Sequence, residues 1–380
     1  MRDPVGLAYL LARAADTIAD TDLLPPALRV TLLSDLLRSM QGDEAAMARL
    51  RHTFVSKLPS ATALHPAEHT LLLVLPDCVA LHREAQPTER QLVARVLDQL
   101  VLGMQKDLQR FPAAGSVNRP EQVVALQDEA DLDEYTYLAA GCVGEFWTDL
   151  QLVQVPQFGA HWSPKLRVRG KALGQALQIT NVVRDMAADL KMGRCYVPQT
   201  LLERRSLHAA RLYELVQTPP RDMAEARALS ALTQDLLRLG LSLCETAWPY
   251  VLALPPKQVR LRLACAWPLC LALETLRLVG QVGSPLFSPH QPVRVSRSSV
   301  YAMLFSTTAV ALLAGLAVSE QGLVQAFETR RRALKQLVGD QTGGKPWPGD
   351  GEVADEPACG TANECAMVRP IDIASERDGA

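Results

Sequence analysis

Aromatic residues are scarce in this chain, at 5% for Phe, Trp and Tyr together, and neither charge is in excess, with 39 Lys and Arg against 41 Asp and Glu in 380 residues. Few rings leave few platforms for stacking bases, and a balanced charge gives no footprint for a polyanion, so nucleic-acid binding is excluded. The eight cysteines (Cys78, Cys142, Cys195, Cys244, Cys265, Cys270, Cys359 and Cys365) form no CxxC pair. That excludes the usual zinc spacings and fits a reducing compartment better than a disulfide framework. No GxGxxG follows a strand, so a Rossmann nucleotide site is excluded as well. No period-2 alternation is bounded by hairpin turns, so no strands are expected, and no internal repeat is visible. The N-terminal stretch MRDPVGLAYLLARAADT has neither a basic n-region nor a small-residue cleavage site, so no signal peptide is expected.

What is present is apolar residues at helical spacing. With 48% hydrophobic content the chain can bury a large core. A helix is expected over Leu7–Asp20, a second after Pro25-Pro26 to about Gln41, and a third from Gly42-Asp43 to about Ser56. A fourth is expected over Thr70–His82. Thr88 and Gln91 carry a capping-box pattern, predicting a helix from Thr88 to Phe111. A long helical pattern runs from about Glu121 through Asp133, Tyr135 and Tyr137 into LAAGCVGEFW. Gly141 and Gly144 each cost that helix about 1 kcal/mol against Ala, which implies a packing or ligand reason for them. Further helices are expected near 165–190, 200–216 and 221–247, then one after Pro255-Pro256 kinked at Pro268. Val300–Val318 is uncharged throughout and reads as a buried core helix, with membrane contact as the alternative. From 339 to 380 no apolar period survives, and that tail is expected to be disordered, with Cys359 and Cys365 as free thiols. The expected architecture is all-α, a single domain over 1–338.

The stretch QITNVVRDMAADLKMGRCYVP, Gln178 to Pro198, carries the chemistry. Asp185 and Asp189 stand four apart, which stacks two carboxylates on one helical face about 6 Å apart along the axis. Gln178, Asn181 and Arg184 continue that side toward the N-terminus. Two like charges at this spacing cost a few tenths of a kcal/mol unless a cation resolves them. Oxygen-only ligands with room for water suit Mg²⁺, which bridges carboxylates to substrate phosphates. A lone DxxxD is usually a solvated helix face. Here a second copy exists, Asp16-Thr-Ile-Ala-Asp20, and Tyr9 and Arg13 share its face in steps of four, three and four.

Together, Tyr9, Arg13 and DTIAD, then DEYTYLAAGCVG, then LQITNVVRDMAADLKMGRCYVP resemble the squalene and phytoene synthases, the head-to-head prenyl transferases. The likeness covers most of residues 5–300 in order and spacing. It implies an isoprenoid-synthase-type helical bundle around a central cavity, flanked by two aspartate-rich helices. Asp16, Asp20, Asp185 and Asp189 would hold Mg²⁺, Arg13 and Arg184 would lie beside the diphosphates, and Gln178 and Asn181 match polar residues before the second motif. Tyr135 matches a tyrosine near the reacting carbons, where it could orient a diphosphate, take a proton or stabilise positive charge. The substrate implied is farnesyl diphosphate, joined head to head through a cyclopropyl diphosphate. DTIAD looks more like the squalene side than the phytoene side. VRVSR is similar to a basic segment near NADPH phosphates, which Arg294 and Arg297 would contact; an ordinary loop is the competing reading. Three departures stand out. The helix before the first motif is shorter than is usual in the family, Ala19 and Ala188 stand where many relatives carry Glu, and Leu269 stands where squalene synthases often have Gln. A phytoene-type synthase without reduction, or a non-catalytic prenyl-lipid binder, is the alternative. A cytoplasmic location is expected, with peripheral contact at the inner membrane for product release.

Overall fold

Apolar residues at helical spacing do form helices along nearly the whole described chain. The computed structural model describes residues 2–57, 65–111, 117–155, 158, 163–287, 293–313 and 320–339. The expected tail, with Cys359 and Cys365, lies outside them. The first half comprises α1 (Arg2–Asp20), α2 (Pro26–Met40), α3 (Glu44–Lys57), α4 (Pro66–Leu73), α5 (Leu75–Glu84) and α6 (Pro87–Arg110). Ala8, Leu11, Ala15 and Ile18 form the buried stripe of α1, which packs on α2, α5 and α6.

Helix α1 begins at Arg2, before the expected Leu7, and two further departures come from proline. The segment Thr70–His82 is broken at Val74 into α4 and α5. Pro76 has no N–H to continue the first helix and sits comfortably in the first turn of the second. Likewise α6 begins at Pro87 with Gln86 as N-cap and no side-chain cap, so Thr88 is already inside the helix.

The long helix expected from Glu121 is instead several elements. A short strand, β1 (Val124–Leu126), precedes α7 (Glu129–Thr136), a π-helical segment (Tyr137–Gly141) and α8 (Cys142–Gln154). Asp128 sets the start of α7, its carboxylate accepting from the Asp131 N–H at 3.0 Å. After α9 (Pro164–Lys191) comes β2 (Arg194–Pro198), which pairs in parallel with β1, Val124 opposite Arg194 and Ala125 opposite Cys195. Contrary to the sequence expectation, then, the fold includes a two-stranded sheet. β1 has only three residues and β2 is buried nearly throughout, so neither shows alternation. The remaining elements are α10 (Gln199–Arg204), α11 (Ala209–Leu215), α12 (Met223–Ala253), α13 (Val259–Val282), α14 (Arg297–Leu313) and α15 (Glu320–Val338).

Helix α9 is the central element, packed along α12, α8 and α13. Gly144 is explained by this packing, whereas a Cβ on Gly141 would meet only side chains, the nearest being those of Gln175 and Tyr137 at 3.1 Å. A Cβ on Gly144 would stand 1.8 Å from the Gly170 carbonyl oxygen, and one on Gly174 would stand 2.1 Å from the Ala140 oxygen. The α8 and α9 backbones touch there, and no side chain can give way. Gly144→Ala is therefore expected to destabilise the protein by about 3 kcal/mol, the upper end for overpacking. Urea unfolding would show it as a lowered midpoint; an unchanged midpoint would mean that the two helices separate freely.

Buried Arg262 ends α12, its guanidinium donating to the carbonyls of Leu254 (2.7 Å) and Leu252 (2.8 Å). Among the described residues α13 is the one helix long and apolar enough to cross a membrane, and 56% of its apolar stretch is buried inside the fold. Helix α14 is only half the core helix expected. Met303 and Thr307 are buried, Trp267 donates to the Thr307 hydroxyl at 2.9 Å, and Tyr301 and Phe305 are exposed.

Candidate active site

Helices α1, α6 and α9, the α7–π junction and β2 enclose a cavity of about 650 Å³. From α1 come Arg13, Asp16 and Asp20, and from α9 come Gln178, Asn181, Arg184, Asp185 and Asp189. Tyr135 enters from α7. The two aspartate pairs thus line one cavity from separate helices. Three expected residues do not. Tyr9 is 66% exposed, one turn before Arg13, and Arg294 and Arg297 are exposed; none of the three lines the cavity.

Several lining residues carry no signal that the sequence reading used. Asp107 comes from α6, and Arg194 and Tyr196 from β2. Gly193, at φ +78°, turns the chain sharply out of α9 into β2. Residues 194 and 196 then share one face of the strand, while Cys195 and Val197 enter the core. The Tyr196 hydroxyl donates to Asp107 at 2.8 Å, and its ring stacks on Tyr135 with centroids 4.2 Å apart. Gln178 donates to the Tyr135 hydroxyl at 2.8 Å. Burial, reinforced by the charge of Asp107, raises the Tyr135 phenol well above its ordinary pKa. It stays protonated at neutral pH, which favours its donor and ring roles over the uptake of a proton.

The carboxylates are crowded. Burial, then the neighbouring Asp185 charge, pushes Asp189 up to about 7, although Arg194 opposes the shift. Burial pushes Asp107 up to about 6. Asp16 is raised by burial and by Asp20, and Asp20 is raised by burial against the pull of Arg194. Arg184 makes a bidentate pair with Asp185, at 2.8 and 2.5 Å. Arg13 bridges Asp16 and Glu68 of α4. Such a donor set, oxygen-only and short of positive charge, fits a hard divalent cation. Among the described residues no three His, Cys, Asp or Glu side chains converge into a cage of their own.

These shifts set a pH dependence for the metal-free protein. A carboxyl raised on folding holds its proton longer in the folded state, so stability falls as pH rises between the unfolded and folded pKa values. Glu225, held down to about 2 by Arg211, works in the opposite sense but only below its ordinary value of 4.5; His82, lowered from 6.5 by burial, opposes the trend inside the window but is one group against two. Between about pH 5 and 7, Asp107 and Asp189 are therefore expected to lower the melting temperature as pH rises. Thermal melts in chelator check this, and Asp189→Asn should flatten the upper part of the curve. A curve for Asp189→Asn with the parent's slope between pH 5 and 7 would contradict the raised pKa of that carboxyl, a comparison in which the opposing His82 cancels.

A helical bundle whose two aspartate-bearing helices line one polar cavity defines an isoprenoid-synthase-type protein. The chain belongs to the squalene/phytoene synthase family, whose sequence model matches residues 1–299. Among curated proteins it is similar to the squalene synthase of Eremothecium gossypii, 26% identical over 205 residues, 53% of this chain and 41% of that one. It is also similar to the 15-cis-phytoene synthase of Paracoccus sp., 30% identical over 201 residues, 51% of this chain and 57% of that one. The chain thus spans about half the length of the curated relatives it matches. In fold it is similar to TcSQS solved with a ligand, at a TM-score of 0.65 and 18% identity, covering 90% of this chain and 86% of the other.

Proposed function

We propose that this protein condenses two farnesyl diphosphates head to head, through a cyclopropyl diphosphate, in a Mg²⁺-dependent reaction. The observation that carries the reading is the pair of DxxxD motifs, Asp16/Asp20 and Asp185/Asp189, lining one cavity from two helices. When bound there, Mg²⁺ would neutralise the diphosphate leaving group. Arg13, Arg184 and Arg194 supply further donors to the diphosphate oxygens. Ala19, Leu100, Met104, Leu108, Ala139 and Val182 form the apolar part of the lining and keep water from a developing allylic cation. Tyr135, held protonated, orients a phosphate oxygen or offers its ring to the cation.

The finer reading is that NADPH then reduces the intermediate to squalene. DTIAD is the motif-level support for it. The relatives include both squalene and phytoene synthases, so the product is decided by experiment. Farnesyl diphosphate is supplied with Mg²⁺, with and without NADPH, and products are identified by mass spectrometry. Squalene formed only with NADPH supports the full reading. The unreduced dehydrosqualene-type hydrocarbon, formed alike with and without NADPH, makes this a phytoene-type synthase. No consumption of farnesyl diphosphate at all would remove the condensation itself.

A further inference from the structure

The face of α14 that the core leaves uncovered has a definite pattern. Arg297, Tyr301 and Phe305 follow at four-residue spacing, so they form one stripe, and all three are exposed. Phe305, at 76%, is the most exposed large apolar side chain among the described residues, and Tyr301 is 68% exposed. On the opposite side Met303 and Thr307 anchor the helix to the fold. Exposed Arg294 precedes the stripe. From 275 to 319 the sequence has no Asp or Glu, while Arg277, Arg294 and Arg297 fall within that span.

We propose that this face of α14 docks the protein onto an anionic lipid surface, with Tyr301 and Phe305 entering the interface and Arg294 and Arg297 meeting the headgroups. A ring stripe with cations at one end is what such an interface takes, and the one carboxylate in the pocket beside α14, Glu274, is neutralised by Arg277. The positive end of the helix dipole lies at the arginine end, which adds to the same preference. A second copy of the chain would have to cover the rings without any acidic group of the 275–319 span to meet the arginines, and it is one outcome of the test below. This assigns Arg294 and Arg297 to lipid headgroups rather than to NADPH, consistent with their absence from the cavity lining. The inference does not rest on the catalytic reading, since it concerns a surface outside the cavity.

The test is co-sedimentation of the full chain with phosphatidylglycerol-containing vesicles and with pure phosphatidylcholine vesicles. Binding is expected to the anionic vesicles, to weaken at high salt, and to fall at least tenfold in Tyr301→Ser/Phe305→Ser. Arg294→Gln/Arg297→Gln should weaken it several-fold on anionic vesicles and leave any binding to neutral ones unchanged. Tyr301→Ser/Phe305→Ser should keep the parent's consumption of soluble farnesyl diphosphate. Phe305→Trp preserves the packing if the serine variant folds poorly, and its fluorescence should shift to the blue on anionic vesicles. No binding by the parent chain overturns the proposal, as does binding unaffected by the serine changes. A parent dimer that the serine variant converts to monomer, with no vesicle binding, would make the stripe a self-interface and overturn it too.

Discussion

Asp16→Asn and Asp185→Asn are each expected to lower turnover at least a hundredfold while the metal-free protein melts within a few degrees of the parent. The two halves of this expectation have different causes. Asparagine keeps the shape of aspartate but cannot bridge a divalent cation to a diphosphate. Lewis-acid stabilisation is worth several kcal/mol in the transition state, and each 1.36 kcal/mol is tenfold in rate. Folding is served differently. Asp16 is raised by burial and by Asp20, so in the metal-free protein its charge is a burden, and losing it relieves repulsion. Asp185 is half-exposed and paired with Arg184, and a pair of that kind contributes about 0–1 kcal/mol. Steady-state consumption of farnesyl diphosphate with Mg²⁺, beside thermal melts in chelator, separates the two effects. Near-parental turnover in either variant would remove that helix from metal binding. A collapse in melting temperature would instead make the carboxylate part of the scaffold.

The second aspartate helix was legible because local signals agree along it. Pro164 stands in the first turn, Gly193 turns out of the far end, and the polar residues between fall on one face. Gly141 and Gly144 marked a close approach, though not its partner, since Gly170 and Gly174 lie across a tertiary contact. Tyr9 shows where the argument from spacing stops. It shares a helical face with Arg13, Asp16 and Asp20, but spacing cannot say how far along that face the neighbouring helix extends. The fold leaves Tyr9 exposed beyond the cavity. Arg294 and Arg297 stand out only as a basic segment, and a segment carries no information about which surface it meets. Asp107 lies more than seventy positions from the second motif and announces nothing in MQKDLQRF; only the packing of α6 across the cavity gives it a role. Arg194 and Tyr196 belong to the motif stretch but carry no periodic signal, because β2 is buried nearly throughout and shows no alternation.

Arg194→Gln is expected to lower both stability and turnover, unlike the aspartate variants. Its guanidinium is the cation that Asp20, Asp107 and Asp189 have in common, pulling each of those raised carboxyls back down. Burial works against the charge of Arg194, yet the Tyr196 phenol and the surrounding carboxylates hold its pKa above the ordinary value. Removing one partner of such a buried set leaves the other charges uncompensated, which typically costs about 3 kcal/mol or more. In the metal-free protein the loss should be largest at pH 7 and shrink toward pH 5, as Asp107 and Asp189 take up protons and need the cation less. A substitution that merely disturbed packing would lower the melting temperature equally at both pH values. Turnover should fall at least a hundredfold, because the residue borders both aspartate helices and would meet the diphosphate between them. Arg194→Lys tests the geometry: it restores the charge and so most of the stability, but one ammonium cannot make the paired contacts of a guanidinium. Its melting temperature should recover more than its turnover does. If Arg194→Gln matched the parent in both, the carboxylates of the cavity would have to be balanced by some other group.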